Sequence, residues 1–94
     1  MQFTWDESKN RAHLRKHRIS FETAALVFDD PYHISTQDRE VDGEVRWQTI
    51  GMVGGIRILL VAHSLSESGD QEVVRIISAR KATPQERSIY AQET

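Results

Sequence analysis

The stretch Val73–Tyr90, VVRIISARKATPQERSIY, constrains the chain more than any other. Val73, Val74, Ile76 and Ile77 are β-branched, which suits a pleated and largely buried strand. Helix signals follow at once. Thr83 stands at an N-cap, Pro84 at the first helical position and Glu86 at the third, so hydroxyl and carboxylate can each accept a backbone N–H at the other's position. Arg75, Arg80, Lys81 and Arg87 punctuate this run. An arginine among valines and isoleucines needs a partner. It is either one of the chain's fourteen Asp and Glu or an anion such as a phosphate, which guanidinium grips with two parallel bonds. The residues leave both readings open.

Upstream, Asp6 can cap a helix running to about His17. Its sequence, ESKNRAHLRKH, has only Ala12 and Leu14 as apolar residues, and these do not share a face. Lys9, His13, Lys16 and His17 do share one. The helix is therefore either a solvated surface element or a basic wall for RNA or an acidic partner. Ser20 caps a second helix whose Phe21, Ala24, Ala25 and Phe28 form an apolar face, ended by Asp29-Asp30-Pro31. This second helix reads as core.

Strand signals fill the middle. Residues 32–39 alternate, Asp42-Gly43 marks a type I′ hairpin turn, residues 44–53 form the next strand, Gly54-Gly55 the next tight turn and residues 56–64 the third strand. With the strand near Arg75, a four-stranded antiparallel meander is expected. Two-residue turns would set Arg46 opposite both Arg39 and His63. One face would then carry Ile34, Thr36, Val45, Trp47, Thr49, Ile58, Leu60 and Ala62, the expected core side. The other would carry His33, Gln37, Arg39, Arg46, Gln48, Arg57 and His63, among Ile50, Leu59 and Val61. Three arginines and two histidines with no acid at matching positions favour an anion-binding face over plain solvation. Arg75 and Arg80 lie five apart, so a regular strand would send them to opposite faces.

The chain of 94 residues reads as one domain, which buries roughly 60–65% of its unfolded surface. It has no cysteine, hence no disulfide framework and no thiolate chemistry, as suits a reducing cytoplasm. No apolar run reaches membrane-spanning length and no signal-peptide pattern opens the sequence. A net charge of −2 means that any nucleic-acid contact must come from a local patch. His13 and His17 are spaced for a metal, but the intervening residues are Leu-Arg-Lys, without the glutamate of a zinc helix or an evident third ligand, so no metal site is expected.

The segment RIISARKATPQERSIY resembles the C-terminal signature of the BrnT family of bacterial type II toxins. The N-terminal half agrees with the same family at Phe3-Thr4-Trp5-Asp6, Lys9-Asn10, Lys16-His17, Ile19-Ser20-Phe21, Ala24 and Val27-Phe28-Asp29-Asp30-Pro31, and Gly43-Glu44-Val45-Arg46 matches its central pattern. One position departs: members usually carry glycine where this chain has Arg18. The resemblance implies a RelE-like α+β fold with two N-terminal helices, a four-stranded antiparallel sheet and one C-terminal helix. It also implies a ribonuclease that needs no metal or cofactor. The implied partners are RNA and a BrnA-type antitoxin, with DNA reached only through that antitoxin. The alternative is a binding module of the same fold with catalysis lost.

Metal-free RNA cleavage needs a base for the 2′-hydroxyl, an acid for the 5′-oxygen and cations for the phosphorane. Arg46, Arg75 and Arg80 are the expected cations. His63 or Glu44 is the expected base, while Lys16 and His17 could act as acid or phosphate clamp. Arg39, Arg57 and Lys81 are expected to hold RNA.

Overall fold

The computed structural model describes residues 1–93. In chain order it has β1 (Gln2–Thr4), α1 (Glu7–His17), α2 (Phe21–Ala25) with a 3-10 turn after it (Leu26–Asp29), β2 (Ile34–Val41), β3 (Glu44–Val53), β4 (Arg57–Ser68), β5 (Gln71–Lys81) and α3 (Pro84–Glu93). The strand order is β1-β5-β4-β3-β2. Strands β2 to β5 form the expected meander. The expectation of a four-stranded, wholly antiparallel sheet is corrected by β1, which runs parallel to β5 and sets Phe3 beside Val74. Three residues are too few to show alternation, so this strand leaves little trace in the sequence.

Register departs from expectation at three points. Asp42 and Gly43 do form the tight turn, with φ of 51° and 80°. The β3–β4 loop, however, spans Gly54, Gly55 and Ile56, because Val53 pairs with Arg57. One extra loop residue turns every β4 side chain to the other face. Trp47 therefore lies opposite His63, and Arg46 lies opposite Ser64. In β2 an irregularity between Gln37 and Glu40 takes Asp38 and Arg39 out of the ladder, so Arg39 does not pair with Arg46. In β5 the ladder jumps from Ile76 to Ser78. That bulge at Ile77 puts Arg75 and Arg80 on the same face, although they are five residues apart.

One face of the sheet bears Val53, Leu59, Val61, Val74, Ile76 and Ala79, covered by Ile19, Phe21, Ala24 and Val27. Gly51 permits that close approach: a Cβ there would come within 2.6 Å of Val27 Cγ1 and 3.0 Å of its carbonyl oxygen. Among the described residues, the opposite face is covered at one end, where Tyr90 of α3 packs on Ile50 and Leu60. Tyr90 also donates to Asp30, whose carboxylate accepts the Met52 and Tyr32 N–H groups as well. The α3 cap forms as expected. Thr83 Oγ1 accepts the Glu86 N–H and Glu86 Oε1 accepts the Thr83 N–H.

Helix α1 has no apolar stripe, and polar pins hold it instead. Buried Asn10 accepts the Phe21 N–H at 2.8 Å and donates to Glu22 and Glu7. His13 donates from Nδ1 to the Ile19 carbonyl at 2.8 Å, while its Nε2 accepts the Ala79 N–H at 3.3 Å. With both nitrogens engaged, His13 has none left for a metal. At the C-cap, Arg18 adopts the left-handed conformation (φ 61°) that glycine reaches freely, and its N–H bonds the Leu14 carbonyl.

Candidate active site

The uncovered part of the second face holds Arg46 on β3, Ser64 on β4 and Arg75 on β5 in one cross-strand row. Two strand spacings separate the arginine backbones, about 10 Å. Glu44 lies two residues before Arg46 and on the same side. Its Oε1 is 3.3 Å from Arg46 Nε and 4.0 Å from Arg75 NH1, so one carboxylate bridges both guanidiniums. Arg46 Nε is itself buried and, among the described residues, has no hydrogen-bond partner, since Glu44 does not approach it in bonding geometry. A buried N–H of a cation left unbonded is costly, and a ligand oxygen would relieve it.

The two arginines, Asp6, Lys9, Ile76 and Ile77 line a polar cleft of about 60 Å³. Asp6 is occupied as the α1 N-cap, where it accepts the Lys9 N–H. Lys9 and Ile77 also line a larger neighbouring groove of about 250 Å³ along α1, together with Ala12, His13, Lys16, His17 and Phe21. Cleft and groove thus share a border. The basic face of α1 continues the arginine row as one cationic track.

The sequence-derived candidates separate clearly. Arg46, Arg75 and Glu44 come together, and Lys16 and His17 flank them through the α1 groove. Lys9 was not expected at the site, although its place on the Lys16–His17 face of α1 was the available signal. His63 must be corrected. It is 1% exposed on the helix-covered face, in a T-shaped contact with the Phe28 ring. Its Nε2 accepts from Thr49 Oγ1, which is bonded in turn to Ser35 Oγ, and its Nδ1 faces the Ser64 carbonyl. Arg80 shares the face of Arg75 but grips Glu86 with two bonds of 2.7 and 2.9 Å. Arg57 and Lys81 lie at the other end of the sheet, and Arg39 sits exposed in the β2 irregularity. Tyr90, pushed up to about 12 by burial and by Asp30, is no proton carrier at neutral pH.

Two of these groups set an acid response. Burial holds the His63 imidazole below its ordinary 6.5, with the Ser64 carbonyl opposing. The unfolded chain therefore binds a proton that the fold refuses, and stability falls as pH drops from 6.5. Glu86 is held at about 2 by Arg80 first and by the Thr83 N–H. Its contribution is complete above the ordinary 4.5 and is lost as pH approaches 2. Thermal unfolding followed against pH should show both losses, and His63→Gln should flatten the first. An unchanged slope between pH 6.5 and about 5 in that variant would refute the assignment.

Fold and site define an α+β protein of mixed sheet with a cationic cleft on the bare half of one face. The family model "Ribonuclease toxin, BrnT, of type II toxin-antitoxin system" matches residues 5–86, and the chain belongs to this family of ribonuclease toxins. Membership implies a protein antitoxin as partner. The fold is similar to that in the crystal structure of the Brucella abortus ribonuclease toxin BrnT, with TM-score 0.60 and 22% identity over 88% of this chain and 97% of that one. No curated protein sequence matches the chain. Among the described residues, no helix is long and apolar enough to cross a membrane.

Proposed function

We propose that this protein is a metal-independent endoribonuclease of the mRNA-interferase type, a variant of the RelE-like plan. It acts in the cytoplasm and is neutralised by a BrnA-type antitoxin, through which alone it meets DNA. The observation that carries the reading is the unbonded Arg46 Nε in a cleft walled by Arg46, Arg75 and Lys9. The scissile phosphate sits between the two guanidiniums, which hold charge that grows on its oxygens in the phosphorane. Glu44 takes the 2′-hydroxyl proton as the 2′-oxygen attacks phosphorus. The P–O5′ bond breaks, and the leaving 5′-oxygen takes a proton from the Lys9 ammonium. The products are a 2′,3′-cyclic phosphate and a 5′-hydroxyl. Lys16 and His17 hold the strand along α1 by its phosphates.

The burial of His63 favours a second reading, because among the described residues the cleft between Arg46 and Arg75 is then lined by no imidazole. On that reading the domain binds but does not cut. Incubating the purified protein with single-stranded RNA in EDTA separates the two. Fragments ending in cyclic phosphate are expected, with growth arrest on expression and its relief by the antitoxin. Intact RNA in EDTA with cleavage restored by Mg²⁺ would overturn the metal-free mechanism. Intact RNA under both conditions would favour the binding module.

A further inference from the structure

A second group of cations lies at the other end of the sheet. Arg57 of β4, Lys81 of β5 and Arg87 of α3 border a hollow of about 230 Å³, with Ile56, Ile58 and Ala82 as its remaining walls. All three cations are exposed, and among the described residues none has a carboxylate within ion-pair distance. Glu86, the acid next to Arg87, is already engaged by Arg80 and the Thr83 N–H. The chain holds more acids than bases, yet it leaves these three like charges facing one space. An anion from outside would relieve their mutual repulsion.

Two observations point to a peptide as that anion. Ile56 stands at the rim, 86% exposed, and Ile58 forms part of the wall. An acidic peptide can supply both carboxylates and an apolar residue to such a wall, a better match than a sugar–phosphate backbone alone. The second observation is position. Arg57 is seven residues along β4 from Ser64, which stands between Arg46 and Arg75, a span of about 23 Å. A ligand in the hollow is therefore not lying on the scissile phosphate.

We infer that this hollow docks an acidic segment of the antitoxin, with at least two carboxylates around one aliphatic side chain, as an anchor remote from the cleft. The inference rests on membership of a toxin–antitoxin family and not on the cutting mechanism. The test is the double variant Arg57→Glu/Arg87→Glu. Both positions are exposed, and glutamate in the first turn of α3 suits the helix N-terminus, so circular dichroism should match the parent. In an Arg46→Ala background that can be purified alone, the variant is titrated with purified antitoxin and, separately, with short single-stranded RNA.

Antitoxin binding should weaken by at least about thirtyfold and lose most of its salt dependence, with RNA binding unchanged. Undiminished antitoxin affinity would overturn the inference. A fall in RNA binding with antitoxin binding intact would also overturn it and assign the hollow to nucleic acid. Loss of antitoxin binding in a protein that never cuts RNA would uphold the anchor while removing the enzyme reading.

Discussion

Arg46→Ala and Arg75→Ala should each slow RNA cleavage by about 10²–10³-fold and relieve growth arrest, with thermal stability almost unchanged. Each removes one guanidinium from the row that flanks Ser64, and each leaves Glu44 one arginine for its charge. Both side chains lie on the uncovered part of the sheet, so neither truncation opens a cavity in the core. Arg80→Ala makes the contrast. Its two bonds to Glu86 fasten α3 to the end of β5, so this change should lower stability and spare the chemistry. Quantitative gel assays on folded protein decide the matter. Wild-type rates in both Arg46→Ala and Arg75→Ala would place the reaction elsewhere, and a dead but stable Arg80→Ala would return that arginine to the site.

The largest effect on stability should come from Phe21→Ala. Phe21 is 1% exposed, meets the Trp5 ring edge-on at 6.3 Å and lies 5.1 Å from the His13 ring. It is the apolar body against which the otherwise polar α1 rests. Truncating such a phenylalanine costs about 3–5 kcal/mol, a large part of the ~5–15 kcal/mol that holds a domain together. The thermal midpoint should drop by about 15–30 °C. Asn10→Ala should follow with a smaller loss of about 1–3 kcal/mol, since it leaves the Phe21 N–H without its acceptor. A Phe21→Ala protein with a near-native midpoint would mean that the α1–α2 contact carries little of the fold.

Local chemistry explains which parts of this architecture the sequence discloses. The Asp42-Gly43 turn, the Thr83–Glu86 cap and the Ser20 cap each rest on residues within four positions of one another, and all are present. Register is different, because one residue decides it. Gly54-Gly55 reads as a complete two-residue turn, yet Ile56 joins the loop, and the slip carries His63 from the imagined open face into the core. The irregular ladder at Asp38-Arg39 and the bulge at Ile77 are similar cases, set by how neighbouring strands settle and not by composition. Glu44 and Arg46 were readable as a pair because they share a face at spacing two, but the five-residue spacing of Arg75 and Arg80 left open which of them would join the pair. Lys9 was visible as part of the basic face of α1, but nothing in α1 says which strand that face will meet.

The parallel pairing of β1 with β5 has a consequence for how the protein is born. Residues 2–4 are synthesised well before residues 73–75, so this pairing cannot close until β5 exists. The cleft has the same timing, because Arg46 and Lys9 have no Arg75 to face until β5 has emerged. Long-range closure of this kind is slow and cannot begin early. The sheet edge and the cleft are therefore completed together, once β5 has paired with both β1 and β4.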